Sequence, residues 1–151
     1  MSLKYKYLAS GLKVINAIIL NKLTGKRVPL LSYILVTNAC DLDCIYCFSE
    51  FHKSSSQHTP KGKIFEMIDQ LEKNGTVLVT LTGGEPTLRN DLGEIVEYAA
   101  NTRMMVELVS NGLNIKKHIS SLRSLDFLGI SIDGGEKDHD KVRGKGSFKT
   151  S

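Results

Sequence analysis

The sequence lacks a hydrophobic run long enough to cross a bilayer. A transmembrane helix needs about 20 consecutive, mainly apolar residues, whereas the longest candidate, 14–20, is short and interrupted by Asn16. This run follows lysines, as in a secretory signal peptide, but no small-residue cleavage site comes after it. We therefore expect no transmembrane segment.

Cysteine is scarce as well. The chain of 151 residues has three, Cys40, Cys44 and Cys47, and all of them fall within eight positions. An odd and tightly clustered set argues against a disulfide framework. It indicates a metal or cluster site in a reducing compartment, so we expect a cytoplasmic protein.

The chain also lacks a large excess of one charge sign. Its 20 Lys and Arg residues and 16 Asp and Glu residues give a net charge of +4. Nucleic-acid binders concentrate basic residues on one face. The dense basic stretches here are only 4–6, 22–27 and 137–149, and the last is interleaved with acidic residues. We therefore expect no nucleic-acid partner. With 41% hydrophobic and 24% charged residues, the chain has the composition of one ordinary globular domain, which disfavours intrinsic disorder.

Apolar residues near the N-terminus recur at steps of three and four, which is typical of one face of an amphipathic helix. They are Leu8, Leu12, Ile15, Ile19 and Leu23. We expect a helix that packs on the rest of the protein, within an N-terminal extension of residues 1–28. A peripheral contact with a membrane is the alternative.

After Gly25 the pattern changes to strands that alternate with helices. Runs of apolar and β-branched residues predict strands at 30–37, 76–82, 104–109 and 127–132. Helical spacing between them predicts helices around 64–71, 92–99 and 115–122. This alternation is typical of a parallel sheet built from βαβ units, so residues 29–151 are expected to form an α/β core domain.

Every unusual motif comes at the end of a predicted strand. The cysteines follow the first strand, and Gly83–Pro86, Ser110–Gly112 and Ser131–Gly134 close the next three. In parallel α/β folds, ligands bind at the carboxyl ends of the strands, so we expect one shared site. Ser131 and Asp133 lie two positions apart where the fourth predicted strand ends, so we expect both on the same strand face.

The cysteine spacing is compatible with two kinds of site, because thiolates bind both zinc and iron–sulfur clusters. A histidine, His52 or His58, could complete a Cys3His zinc site in a non-catalytic interaction module. Clusters that only transfer electrons take four cysteines, whereas three on a four-iron cluster leave one iron open to a substrate. The lack of a fourth cysteine favours a reactive cluster, with the zinc module as the alternative.

Three segments together resemble the radical S-adenosylmethionine (radical SAM) superfamily. CDLDCIYC at 40–47 resembles the family signature, and GGEP at 83–86 resembles its second-strand motif. The segment 131–148 is similar to the fourth-strand region of members with a C-terminal cysteine-rich (SPASM-type) domain and of molybdenum-cofactor biosynthesis relatives. The chain is thus identified as the N-terminal part of a radical SAM core domain.

The resemblance implies a partial (βα) TIM-type barrel with about four βα units, apparently truncated after Ser151. It also implies that Cys40, Cys44 and Cys47 bind three irons of a 4Fe–4S cluster, and that S-adenosylmethionine chelates the fourth iron. One electron, from a donor such as flavodoxin or ferredoxin, would then release a 5′-deoxyadenosyl radical that abstracts hydrogen from a substrate. That substrate is unknown, a peptide or a small molecule, and whether this chain alone is active is left open.

The residues expected to bind S-adenosylmethionine come from the same strand ends and the segment after the fourth strand: Tyr46, Gly83, Gly84, Glu85, Pro86, Ser110, Asn111, Ser131, Asp133 and Arg143. Glycines without a Cβ let the backbone approach a ligand closely. The Glu85 carboxylate could accept from the cofactor's ammonium, and the Arg143 guanidinium suits its carboxylate.

Other polar residues receive no cofactor role. Asp41 and Asp43 are expected to be solvated loop residues, and His139 with Asp140 is expected to cap the following helix. The sequence identifies no side chain that would react with the substrate.

Overall fold

A computed structural model describes residues 3–25, 27–47 and 57–151. The elements follow in the order α1 (Leu3–Thr24), β1 (Leu31–Thr37), α2 (Lys61–Lys73), β2 (Leu78–Gly83), a 3-10 turn (Pro86–Leu88), α3 (Leu92–Ala100), β3 (Met105–Ser110), α4 (Ile115–His118), β4 (Phe127–Ile130), α5 (Glu136–Arg143) and α6 (Ser147–Thr150). The predicted alternation of strands and helices is confirmed. His52, one of the two candidate zinc ligands, lies outside the described residues.

The four strands form one parallel sheet in the order β1-β2-β3-β4. Leu31 pairs with Leu78, and Leu78 pairs with Met105. The fourth strand joins in the same direction, with Phe127 beside Glu107. All carboxyl ends therefore lie at one edge of the sheet, the geometry of a partial α/β barrel.

Helices α2 and α3 cover one face of this sheet and form the core with it. The buried apolar side chains are Ile34, Val36, Ile64, Ile68, Val79, Leu81, Leu92, Ile95, Val96, Ala99, Met104, Val106, Leu108 and Leu122. Burial of one such Leu, Ile or Val side chain contributes about 2 kcal/mol. Because side chains alternate along a strand, Leu31, Tyr33 and Leu35 of β1 lie on the opposite face, where they are exposed.

Two strand boundaries differ from the prediction by two residues, and the others agree to within one residue. Strand β2 begins at Leu78 because Thr76 N–H donates to Leu71 O at the end of α2. Strand β4 ends at Ile130, and Ser131 N–H makes one further bond, to Ser110 O at 3.0 Å. The expectation that Ser131 and Asp133 share a strand face is therefore wrong.

Helix α4 is also shorter than the predicted helix around 115–122. Only Ile115–His118 is helical, since Ser120 and Ser121, which follow the C-cap residue Ile119, are weak helix formers. His118 O accepts from the N–H groups of both Ser121 and Leu122, at 2.9 and 3.0 Å, and the chain continues in turns.

Helix α1 lies across the amino ends of the strands, at the edge opposite the sequence motifs. Lys6 Nζ lies 3.0 Å from Asp126 Oδ2, just before β4. Lys13 Nζ donates at 3.0 Å to the carbonyl of Arg103, just before β3. The C-terminal half of the helix borders a cavity lined by Lys73–Gly75, which precede β2.

The predicted packing of this helix on the protein is confirmed, but it packs through its polar side. Lys6 and Ser10 are buried, whereas the predicted apolar face is exposed. Lys6 is held there by its ion pair with Asp126. None of the helices that the structure describes has the length and apolar character required to cross a membrane.

Candidate active site

A cavity of about 290 Å³ opens at the carboxyl edge of the sheet. It is lined by Cys40, Leu42, Cys44, Tyr46, Cys47, Thr82, Gly83, Gly84, Val109, Ser110, Asn111, Ser131 and Arg143. All three cysteines and seven of the ten predicted cofactor residues therefore border one space. The exceptions are Glu85, Pro86 and Asp133.

The three thiols are partly exposed to this cavity and are not in disulfides. Burial raises the pKa of the Cys40 thiol and of the Cys44 thiol, although the Arg143 guanidinium opposes the rise in the pKa of Cys44. Metal coordination deprotonates a thiol outright. A donor set of three soft sulfur atoms beside an open cavity fits an iron–sulfur cluster with one iron left accessible.

Of the two histidines proposed for a zinc site, the one that the structure describes, His58, is not brought to the cysteines. His58 Nδ1 lies 2.7 Å from Thr37 Oγ1, and His58 lines a different cavity with Gln57 and Pro60. Among the side chains that the structure describes, no three His, Cys, Asp or Glu converge closely enough for a single metal ion. A cluster spreads its irons over several positions and does not require that convergence.

The loop that carries the cysteines is held from both sides. The Asp41 carboxylate accepts from Asn111 Nδ2 at 2.7 Å and from Asn114 Nδ2 at 2.9 Å. On the other side, Ile45 N–H donates to Val142 O at 3.0 Å. Asp41 is exposed in its loop, as expected, and it also ties that loop to the end of β3 and to the turn that follows.

The glycine pair at the end of β2 packs against the chain that leads into the cysteine loop. A Cβ on Gly83 would lie 2.2 Å from Thr37 O, and one on Gly84 would lie 2.2 Å from Ala39 O. Gly83 also has φ of 147°, in the region that favours glycine. The space that the missing Cβ atoms leave is thus occupied by protein backbone, and the same glycines still border the cavity.

Glu85 lies behind the cavity wall and is fully buried. Its Oε1 accepts from Thr87 N–H at 2.9 Å, from Thr87 Oγ1 at 2.5 Å and from Ser110 Oγ at 2.9 Å. Its Oε2 accepts from Asn111 N–H at 2.7 Å. The structure therefore places Glu85 as a link between the ends of β2 and β3, and Pro86 as the buried first residue of the 3-10 turn.

Tyr46, Asp133 and Arg143 form a polar group at the mouth of the cavity. Arg143 Nε donates to Asp133 Oδ2, and Arg143 Nη2 donates to Tyr46 Oη. Tyr46 Oη also donates to the Asp133 carboxylate, at 3.1 and 3.2 Å. The Arg143 guanidinium lowers the pKa of Asp133, so this carboxylate is a fixed negative charge that orients the arginine.

A buried histidine that received no cofactor role supports this group. His139 is fully buried, and its Nδ1 accepts from Asp133 N–H at 3.2 Å. Asp140 accepts from the N–H groups of Gly146 and Phe148 at the start of α6. The capping prediction is thus confirmed for Asp140 and wrong for His139, whose position depends on how α5 folds back on the end of β4.

The family model of the radical SAM superfamily matches residues 34–151. The chain therefore belongs to the radical SAM superfamily, as the cysteine and glycine motifs predicted. This family uses a 4Fe–4S cluster and S-adenosylmethionine, and solved structural neighbours contain bound S-adenosylmethionine.

Three known proteins illustrate the similarity. The chain is 36% identical over 117 residues to mycofactocin maturase MftC of Mycolicibacterium smegmatis, covering 75% of this chain and 30% of MftC. It is 34% identical over 122 residues to Fe-coproporphyrin III synthase of Methanosarcina barkeri, covering 75% of this chain and 30% of the synthase. Streptococcus suis SuiB bound to S-adenosylmethionine has the same fold, with a TM-score of 0.73 and 21% identity over 88% of this chain and 32% of SuiB.

The chain thus spans about 30% of the length of these curated relatives. The relatives are enzymes, among them maturases, and the predicted similarity to SPASM-type members is confirmed. The family match over residues 34–151 includes all the segments that line the cavity.

Proposed function

We propose that residues 29–151 form the cofactor-binding part of a radical SAM enzyme. Cys40, Cys44 and Cys47 hold a 4Fe–4S cluster, and the cavity beside them takes S-adenosylmethionine. The observation that carries this proposal is the meeting of all three cysteines with the ends of β2, β3 and β4 around one space. When bound, these cofactors supply one-electron cleavage of the sulfonium and hydrogen abstraction by the 5′-deoxyadenosyl radical.

The chain's own polar residues orient S-adenosylmethionine in this proposal. Arg143 borders the cavity, and two of the five N–H donors of a guanidinium are used by Asp133 and Tyr46. The others suit the carboxylate of the methionine group, which prefers paired, charge-assisted hydrogen bonds. Ser131 offers a hydroxyl group and Gly84 offers main-chain atoms, and both residues border the same cavity.

Glu85 takes a positioning role in this proposal and does not contact the cofactor. Its four hydrogen bonds hold Ser110 and Asn111, which border the cavity, against the end of β2. A buried carboxylate with both oxygens satisfied is rigid. Glu85 therefore sets the distance between the Gly83–Gly84 segment and the Ser110–Asn111 segment, which both border the cavity.

Metal analysis of the whole chain tests the cluster. After anaerobic reconstitution with iron and sulfide we expect a brown protein with roughly four irons per chain, and loss of colour in Cys44→Ala. A colourless protein that holds one tightly bound zinc would refute the proposal and support the interaction module.

Calorimetry with the reconstituted chain tests the second cofactor. S-adenosylmethionine should bind, and Arg143→Lys should weaken binding about tenfold or more, because an ammonium cannot form the paired contact. Arg123→Lys is the matched control, since Arg123 is exposed and does not border the cavity. Equal affinities for the two variants would remove Arg143 from the site.

The substrate and the electron donor belong to the same proposal. MftC is named a maturase, SuiB has been solved with its precursor peptide, and Fe-coproporphyrin III synthase is named for a small molecule. Relatives of both kinds match, so the proposed substrate class is a peptide or a small molecule. Release of 5′-deoxyadenosine on addition of reduced flavodoxin or ferredoxin would support a working enzyme, and its absence with both cofactors bound would indicate a cofactor-binding part only.

A further inference from the structure

The outward face of α1 has no role in the cofactor site. We call it the apolar stripe, formed by Leu8, Leu12, Ile15, Ile19 and Leu23, whose side chains are between 49% and 79% exposed. Soluble proteins rarely leave a contiguous row of large apolar side chains exposed without a binding function. The stripe therefore needs a partner.

The shape of the stripe limits what that partner is. The five side chains follow one side of the helix over residues 8–23, a row of about 22 Å because each of the 15 steps rises by about 1.5 Å. The reverse side of the helix is attached to the protein through Lys6, Ser10 and Lys13. The stripe is therefore a convex ridge that points outward, and it matches a flat surface better than a protruding partner helix.

Charge limits the partner further. The first 40 residues contain six basic residues and no acidic one. Lys6 and Lys13 are committed to contacts within the protein, whereas Lys22 beside the stripe and Arg27 just after it are exposed. A second copy of α1 would supply no carboxylate to pair with Lys22 or Arg27, because α1 contains no acidic residue. A partner surface with a negatively charged outer layer above an apolar interior would match both the apolar stripe and the exposed basic residues.

We infer that α1 is an interfacial anchor that lays its apolar stripe into the surface of a membrane rich in anionic phospholipids. Helices with an apolar face and flanking lysines bind in this way, with the helix axis in the plane of the interface. Each lysine near an anionic surface contributes about 1 kcal/mol. Because α1 lies at the amino edge of the sheet, the cysteine cavity at the opposite edge would face away from the membrane.

Vesicle flotation with the whole chain tests this inference. Vesicles of phosphatidylcholine alone are compared with vesicles in which a quarter of the lipid is phosphatidylglycerol. We expect at least tenfold tighter binding to the anionic vesicles, and weaker binding as salt is raised, because salt screens the lysine charges.

Two matched pairs of variants locate the contact. Ile15 and Ile119 are both 54% exposed, so Ile15→Glu should abolish flotation and Ile119→Glu should leave it unchanged. Lys22→Glu should weaken binding at least fivefold, and Lys116→Glu, on α4, should not. Glutamate is a good helix former and these sites are exposed, so the variants should fold, which circular dichroism checks.

Several results would overturn the inference. One is the absence of binding to either vesicle, and another is an Ile15→Glu variant that floats as well as the wild-type chain. A concentration-dependent dimer in lipid-free solution that Ile15→Glu dissociates would assign the stripe to self-association. None of these measurements depends on bound iron, so their outcome is separate from the outcome of the cofactor experiments.

Discussion

Glu85 Oε2 accepts a hydrogen bond from the backbone N–H of Asn111 at 2.7 Å, and this bond joins the end of β2 to the end of β3. It is reinforced by Ser110 Oγ, which donates to Oε1 of the same carboxylate. Two walls of the cysteine cavity therefore share one buried carboxylate as their support.

Replacement of Glu85 by glutamine should destabilise the protein by about 2 kcal/mol, because an amide N–H2 would face groups that are themselves donors. Urea unfolding measures the change. Glu97→Gln is the control, since Glu97 is exposed on α3. Similar unfolding midpoints for both variants would contradict the proposed link.

Gly84→Ala should displace the chain before Cys40. Its Cβ would lie 2.2 Å from Ala39 O and 3.0 Å from Cys40 Cβ. We expect a loss of about 1–3 kcal/mol of stability from this overpacking, together with reduced iron content after reconstitution.

Gly62→Ala is the matched control for this change, since nothing lies within 4 Å of a Cβ at that position in α2. It should stabilise the helix by up to about 1 kcal/mol. If Gly84→Ala kept full iron content and stability, the close packing of the glycine pair would not matter for the cysteine loop.

Asp91 should make stability depend on pH. The Arg89 guanidinium is buried and bonds both Asp91 oxygens at 2.8 Å, which lowers the pKa of this carboxyl. The folded-state pKa therefore lies below the unfolded value of about 4. The stabilisation should be complete above that value and lost as the pH falls through the folded-state pKa.

The free energy of unfolding in urea, measured from neutral pH downward, checks this expectation. Asp91→Asn should cost about 2 kcal/mol at neutral pH and flatten the acid limb of the curve. Asp138→Asn, at an exposed position of α5, should do neither. An unchanged acid limb in Asp91→Asn would show that the ion pair with Arg89 does not contribute.

Asp41→Asn should loosen the cysteine loop, because it removes the charge from two hydrogen bonds to Asn111 and Asn114. A charge-assisted bond contributes about 1.5–3 kcal/mol, so we expect cluster loss to a chelator to accelerate about tenfold or more. Asp138→Asn, at an exposed position of α5, is the control. Equal rates of cluster loss in the two variants would contradict the anchoring role of Asp41.

Much of the fold followed from local pattern. The parallel sheet and its four strands were predicted because β-branched runs and helical spacing are properties of short segments. Strand ends were less accurate, since β4 stops at Ile130 where the chain turns back toward α5. The polar side of α1 also could not be predicted as the packed face, because Lys6 is buried only through its ion pair with the distant Asp126.

The sequence by itself determined the family, and it predicted three cysteine ligands. The spacing of Cys40, Cys44 and Cys47 and the position of the glycine pair are local facts, and they sufficed to predict a cluster at the carboxyl edge of a parallel sheet. Only the tertiary structure decided which polar residues border that site. It moved Glu85 behind the wall, tied Asp41 to residues 70 and 73 positions away, and set Asp133 against Arg143. The positions of these side chains depend on hydrogen bonds between segments that come together only when the chain folds.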